Sequence, residues 1–347
     1  MATINRALII APNWIGDALM AQSLLKLLKA LYPHLTIDAI APRWVAPVLK
    51  RMPEIEAVHV IDFARRKLQL WRRWQYARIL REMDYDAAYV LPNSAKSALV
   101  PWLAGIRLRI GYHGERRYGL LNVRHANPGK KERPLMVQHY AALAYAPRAA
   151  LPDHLPMPCL EISSNDQAQV LKRFSLDARV PLVVFCPGAE YGPAKRWPAE
   201  HFATLAHFIT HAFPYACIVA LGAAQDAPLA RAIVERASQV RHLCGQTSLD
   251  EACALIAHAR AVISNDSGLM HIAAALRRPL VALYGSSDPR HTPPLSKTAR
   301  VQWLHLECSP CFARECPLGH LKCLREINPE RVFESLRALL RAASEGY

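Results

Sequence analysis

Asp17 closes the run Asn13-Trp14-Ile15-Gly16-Asp17, just after a short apolar segment and at the start of a helical pattern. A carboxylate in that place can accept a proton from a sugar hydroxyl. It can equally complement the helix dipole or cap the helix, worth about 1 kcal/mol. A second run, Cys186 to Pro198, passes from a strand into a helix that opens with Pro at its first turn. Its paired cations, Lys195 and Arg196, suit phosphate oxygens by charge and lie beside helix N–H groups that suit them too. A surface loop with solvated charges has the same composition. The glycine spacing is neither that of a Walker A loop nor that of a dinucleotide fingerprint. The third run is Ser264-Asn265-Asp266-Ser267-Gly268-Leu269-Met270-His271. Small residues at a helix start leave N–H donors open to a diphosphate, and His271 one turn on can add another. The plainer reading makes Asp266 an N-cap and His271 a satisfied core histidine. Three such loops at strand ends argue together for a site. No Asp-x-Asp pair stands at the carboxyl end of a strand, so no metal bridge to a diphosphate is expected. Leaving-group charge would then fall on Lys195, Arg196 and the helix N-termini.

Two further features carry chemistry of other kinds. Cys308-x2-Cys311-x4-Cys316-x6-Cys323, with His305 and His320 nearby, could bind zinc tetrahedrally. Only one pair has the Cys-x2-Cys spacing, so thiols packing a loop is the stronger reading. The stretch Arg65–Arg81 interleaves Arg65, Arg66, Lys67, Arg72, Arg73, Arg78 and Arg81 with Trp71, Trp74 and Tyr76 and contains no acid. A second basic region spans Arg107, Arg109, Arg116, Arg117, Arg124, Lys130, Lys131 and Arg133. Such a helix suits an anionic lipid surface, nucleic acid, or simply solvent.

The elements that must position these residues follow from periodicity. Ala7–Ala11 reads as a strand, followed by a helix with Met20, Leu24, Leu27, Leu28 and Leu31 on one face, stopped by Pro33. Leu35–Ile40, Val58–Ile61 and Asp86–Leu91 are further strands, with a helix at Val45–Met52. The pattern fades from Gly111 to Pro158. It then restarts with strands at Leu182–Cys186, Ala216–Leu221, Ala261–Ser264 and Leu280–Tyr284. Helices fall at Ala199–His211, Ala227–Ala237, Leu249–Ala257 and Gly268–Leu276. Short apolar strands alternating with helices imply parallel sheets with right-handed crossovers. The boundary lies between residues 150 and 180 and is set at 170/171, giving two α/β domains, and ligands belong at the carboxyl ends of the strands, in a cleft between them.

Length and composition agree with this. The chain has 347 residues, 52% hydrophobic and 20% charged, enough for two cores. Lys plus Arg total 43 against 28 Asp plus Glu, a net +15, which favours a polyanionic partner. The longest apolar run, Ala98–Ile106, is too short to span a membrane. Asn13 and Asp17 interrupt the N-terminal apolar stretch, so no secretory signal is read there. Nine cysteines, five of them scattered through apolar stretches, fit reduced thiols in a cytoplasm.

Taken together, Pro12–Ser23, Cys186–Pro198, Ser264–His271 and the Cys308–Cys323 stretch resemble the bacterial lipopolysaccharide heptosyltransferases of glycosyltransferase family 9, and within it the type II branch. The resemblance spans nearly the whole chain. It implies an α/β GT-B fold of two Rossmann-like doubly wound domains, 1–170 binding acceptor and 171–347 binding donor, with the last helix packing back toward the first. It implies an inverting, metal-independent enzyme without a cofactor. Its donor would be ADP-L-glycero-D-manno-heptose and its acceptor the first inner-core heptose on Kdo2-lipid A. By this resemblance Asp17 is the base, and the donor diphosphate falls near Lys195 and Asp266-Ser267-Gly268, with His271 beside it. Asp226 matches a ribose-binding position and Thr247 one near the adenine, while Glu190 and Tyr191 stand where type I enzymes carry two threonines. Arg65, Arg66, Lys67, Arg72 and Arg73 then face acceptor or an anionic membrane, with no nucleic acid involved, which places the protein on the cytoplasmic face of the inner membrane. The rivals are a sister family 9 transferase, a non-catalytic saccharide-binding protein and a zinc-stabilised nucleic-acid binder.

Overall fold

The computed structural model describes residues 4–63, 67–129 and 133–345, in two units, Met1–Pro158 and Cys159–Tyr347. In the first, the chain order is β1 (Arg6–Ile10), α1 (Ile15–Met20), α2 (Gln22–Leu31), β2 (Thr36–Ala41), α3 (Ala46–Leu49) and β3 (Ala57–Val60). It continues through α4 (Leu70–Arg81), β4 (Ala87–Val90), α5 (Ala95–Leu103), β5 (Leu108–Tyr112), β6 (Val123–His125) and α6 (Met136–Ala141). The strands form one parallel sheet in the order β3-β2-β1-β4-β5-β6. This is the doubly wound order, which reverses direction between β1 and β4. Helices cover both faces of such a sheet, so its strands must be apolar on both; β4 is buried at every residue. The single helix expected after Asp17 is tightened at Ala21, where the Leu24 N–H reaches the Ala21 carbonyl. A core of Leu8, Ile10, Ile40, Val90 and Leu121 takes in Ala77 and Leu80 of α4 and Ala98 of α5.

The second unit runs α7 (Ser164–Arg173), β7 (Leu182–Cys186), α8 (Ala199–Ala212), β8 (Cys217–Ala220), α9 (Ala227–Val234), β9 (Val240–His242) and α10 (Leu249–His258). It ends with β10 (Ala261–Asn265), α11 (Gly268–Ala275), β11 (Leu280–Leu283), β12 (Ala299–Gln302), α12 (Lys322–Arg325) and α13 (Pro329–Glu345). Its parallel sheet, β12-β11-β10-β7-β8-β9, repeats the same winding and reverses between β7 and β10. The position of the division differs from the expected one. The division falls after Pro158 rather than at 170/171, because α7 packs on α10 of the second unit and Arg173 pairs with Glu251 there. Within its own unit α13 packs on α8, β11 and β12, and its Val332, Leu336 and Leu339 complete that unit's core. Among the described residues, no helix is long and apolar enough to cross a membrane.

Candidate active site

In each unit the loops that carry Asp17, Lys195 and Asp266 fall where the winding reverses. In the first, the segment after β1 leads into α1, whose first turn contains Asp17. The N-cap is Trp14, without a side-chain cap bond, so Asp17 is not the cap residue, although a carboxylate in a first turn gains from the helix dipole. Asp17 is part-exposed. Its charge reaches the buried Tyr140 of α6, whose phenol is pushed well above its ordinary pKa by burial first and by Asp17 second.

The carboxyl ends of β4 and β5 carry a cation. Arg117 is buried and donates to the carbonyls of Pro92 at 2.6 Å, Tyr112 at 2.7 Å and Ser94 at 3.1 Å. Burial lowers its pKa, opposed by Glu115. A small pocket beside it is lined by Tyr112, His113, Arg116, Arg117, Tyr118 and Arg124. The sequence marked these arginines only as general positive charge.

The basic aromatic stretch divides. Lys67 and Arg72 are exposed, beside Leu68, Leu70 and Trp71, the last 67% exposed. Arg73 does not belong to that face. It is buried, its guanidinium lies 3.8 Å over the Phe63 ring, and it donates to the Leu68 and Lys96 carbonyls. Helical spacing turns position 73 inward with Ala77 and Leu80. Arg65, Arg66, Lys130 and Lys131 lie outside the described residues.

The second unit brings the donor-loop residues together. Lys195, in a tight turn after β7, places Nζ 2.5 Å from Asp266 Oδ2 after β10. The Ser287 hydroxyl donates to the same oxygen at 2.5 Å. Asp266 is therefore not the helix cap; Ser267 is the N-cap of α11, and its side chain makes no cap bond. Its hydroxyl faces Ser264 Oγ at 3.3 Å, which leaves the Ser267 and Gly268 N–H groups uncapped by side chains. An ammonium has three donors, so a Lys195 held by Asp266 keeps two for a ligand. His271 is buried one turn on. Burial pushes its imidazole down to about 4, with Asp266 opposing and Lys195 reinforcing, so it is neutral at pH 7.

Two staples fix this geometry. Buried Asn265 donates to the Pro187 carbonyl at 2.5 Å and accepts from the Trp197 N–H at 3.1 Å, and buried Trp197 donates to the Ile327 carbonyl. Asp226, after β8, pairs with Arg196 at 3.3 Å and accepts from the Ala223 N–H at 3.0 Å. Burial raises its pKa, with those two partners opposing. It fits only because Gly188 and Gly222 have no side chains: a Cβ at Gly188 would stand 2.2 Å from Asp226 Oδ2. Thr247 follows β9 in a turn whose Gly245, at φ +77°, packs against Ala224. Tyr191 lies beneath the Lys195 ammonium at 5.0 Å. Glu190 is exposed at the head of the same loop. Sequence reasoning missed Ser287. Its signal was a fourth strand-end run of small residues, Gly285-Ser286-Ser287, directly after the strand at Leu280.

Among the described residues, no group of three or more His, Cys, Asp or Glu is placed to hold a metal ion. None of the nine cysteines is in a disulfide. His207 and His211 on α8 form the chain's one His-x3-His spacing, but the His207 ring is engaged by the Arg236 carbonyl and Gln239.

The family model of glycosyltransferase family 9 (heptosyltransferase) matches residues 73–322. The chain is 46% identical over 347 residues to the lipopolysaccharide heptosyltransferase 2 of Escherichia coli (strain K12), covering 96% of this chain and 98% of that protein. It is 23% identical to the lipopolysaccharide heptosyltransferase 1 of Pseudomonas aeruginosa, over 97% and 98% of the two chains. The structure of E. coli ADP-heptose lps heptosyltransferase II matches with a TM-score of 0.87 and 44% identity, over 98% of this chain and 99% of that one. Two doubly wound units with this match define a GT-B glycosyltransferase. The chain belongs to glycosyltransferase family 9, the heptosyltransferase family.

Proposed function

We propose that this protein transfers L-glycero-D-manno-heptose from ADP-heptose to the first heptose of the lipopolysaccharide inner core, with inversion at the anomeric carbon. The observation that carries the proposal is the Lys195–Asp266–Ser287 cluster at the uncapped start of α11. It is a preorganised cationic and amide-lined seat for a diphosphate, and it is what a departing ADP requires. The matched proteins' names supply the sugar.

The acceptor hydroxyl attacks C1 of the donor heptose, and the C1–O bond to the β-phosphate breaks with its electron pair leaving on ADP. Asp17 takes the hydroxyl proton. A carboxylate is too weak a base to ionise an alcohol beforehand, so the proton moves as the new bond forms and the hydroxyl becomes acidic. Lys195 and the Ser267 and Gly268 N–H groups hold the diphosphate. His271, neutral, supplies a hydrogen bond without adding charge. Asp226 and Thr247, after the next two strands, take the nucleoside, and Glu190 and Tyr191 border the loop. These groups need no metal ion or cofactor for the transfer.

The same reading accounts for the positive charge. Kdo2-lipid A carries phosphates and carboxylates in an anionic leaflet. Lys67 and Arg72, with Trp71 and Leu68 beside them, dock on that surface from the cytoplasmic side as a peripheral contact. The pocket of His113, Arg116 and Arg124 takes acceptor anions. The test is mass spectrometry of the purified protein with ADP-heptose and mono-heptosylated Kdo2-lipid A. One added heptose is expected. Transfer from another nucleotide sugar in its place would make this a sister transferase of different substrate, and binding without product would make it a saccharide-binding protein.

A further inference from the structure

The four clustered cysteines have no part in this mechanism, yet their segment is bolted to the donor loops. Between β12 and α12 the chain makes four contacts with them. The Ser309 hydroxyl donates to the Gly285 carbonyl at 2.6 Å and the Phe312 N–H to the Ser286 carbonyl at 2.7 Å. The Tyr191 hydroxyl donates to the Phe312 carbonyl at 2.6 Å, and the Ala194 N–H to the Arg314 carbonyl at 3.0 Å. Gly192 is held so close that a Cβ would stand 2.4 Å from the Arg314 carbonyl oxygen. The loop bearing Lys195 and the loop bearing Ser287 are thus tied to one segment, residues 309–314.

That segment lies between Cys308 and Cys316. Cys308, Cys311, Cys316 and Cys323 line one small apolar pocket whose wall also includes Ala194 and Ser286, neighbours of Lys195 and Ser287. The thiols differ in environment. Cys323 is buried, which raises its pKa to about 11. The backbone N–H groups of Leu321, Leu318, Gly319 and His320 around Cys316 hold its pKa below the ordinary thiol value, with burial opposing, as a nucleophilic thiolate requires. Cys316 is part-exposed and Cys311 exposed, so a small oxidant reaches them.

We propose that this pocket is a thiol oxidation site: Cys316 reacts with a peroxide, closes a disulfide with a second thiol of the pocket, and thereby loosens the donor loops. The Cys316 thiolate attacks one peroxide oxygen, forming S–O and breaking O–O, and gives a sulfenic acid while the other oxygen leaves as hydroxide. A second pocket thiol attacks that sulfur, forming S–S and expelling hydroxide, which leaves as water. Overall, two thiols and one hydrogen peroxide give one disulfide and two waters, and a dithiol reverses it. A disulfide from Cys316 to Cys308 or Cys311 closes a short ring through the 309–314 segment, which Cys308 and Cys316 flank, and so strains the bonds that segment makes to the donor loops. Phe312 and Arg314 then leave Tyr191 and Ala194. The coupling to ADP rests on the donor site proposed above; the oxidation does not.

The full-length protein is treated with hydrogen peroxide, differentially alkylated and peptide-mapped, and ADP affinity is measured by calorimetry before and after. The expected result is a disulfide joining Cys316 to Cys308, Cys311 or Cys323. ADP affinity should fall by about fivefold or more, the equivalent of one lost hydrogen bond, and return with dithiothreitol. Cys316→Ser should bind ADP normally and no longer respond to peroxide; Cys316→Ala serves if that variant folds poorly. Cys316 remaining fully alkylatable, or all four thiols protected by a bound metal ion before treatment, would overturn the oxidation site. A mapped disulfide with unchanged ADP affinity would overturn the coupling while leaving the donor site untouched. A wild-type protein that binds no ADP before oxidation would instead refute the donor site.

Discussion

Replacing Lys195 with Ala should separate two roles of one ion pair. Its Nζ lies 2.5 Å from Asp266, and the two side chains are 17% and 5% exposed. The variant leaves the Asp266 carboxylate held by the neutral Ser287 hydroxyl, and a buried charge stripped of its counter-ion is strongly destabilising. It also removes charge-assisted hydrogen bonds to a diphosphate, worth roughly 1.5–3 kcal/mol, so ADP binding should weaken by about 10- to 100-fold. Adding Asp266→Asn removes the stranded charge but restores no cation. The double variant should therefore recover most of the lost Tm while its ADP affinity stays low. Thermal melts and ADP calorimetry on the two single variants and the double variant read the two quantities independently. If Lys195→Ala binds ADP within about twofold of wild type, where a lost charged bond should cost far more, the ammonium does not hold the diphosphate. If ADP affinity returns together with Tm in the double variant, the loss was one of folding only.

Other variants probe other parts of the account. His271 is held down to about 4 by burial, so the unfolded chain takes up a proton near 6.5 that the folded protein refuses. Its contribution is full above pH 6.5 and falls by about 1.4 kcal/mol per unit from there to pH 4; urea midpoints should fall less steeply with acid in His271→Gln, and equal slopes would refute the assignment. Gly188→Ala drives a Cβ against the Asp226 carboxylate and should raise the donor KM by more than about tenfold through loss of the Arg196–Asp226 pair, whereas Gly119→Ala, with nothing within 4 Å, should leave it unchanged. Lys67→Ala with Arg72→Ala should weaken co-sedimentation with anionic vesicles by roughly 10- to 30-fold at low salt, at about 1 kcal/mol per near-surface cation. Arg73→Met should instead lower Tm, because that side chain is packed on Phe63; vesicle binding insensitive to salt and to both surface changes would remove α4 from the docking face.

The strands that carry the site were legible because each is a continuous apolar run ending in Gly, Pro, Asn or Ser. Leu182–Cys186 was read to the residue, and Ala261 and Gly268 were read as the starts of their elements. The strands β5, β6, β9 and β12 were not: β6 and β9 have three residues each, and Leu108–Tyr112 and Ala299–Gln302 are interrupted by Arg109 and Arg300, so none carries a clear apolar run. Helix α7 was missed for another reason. Two buried residues, Val170 and Leu171, give almost no stripe, and the helix fell in the stretch read as a boundary. Within the site, composition located Lys195, Asp266 and His271 but not their relations. Asp266 anchors Lys195 instead of capping α11, in company with Ser287, which arrives from the neighbouring strand β11. Arg73 shows the converse error: a charge run read as one face contains a residue that the helix turns inward.

The most direct test of the account is the rate of heptose transfer by Asp17→Ala set against its affinity for ADP-heptose. Loss of a general base should lower kcat by about 100-fold or more, with the donor dissociation constant within about twofold of wild type, since the donor groups all belong to the second unit. A variant that transfers heptose at the wild-type rate, or that loses donor affinity as steeply as turnover, would contradict it.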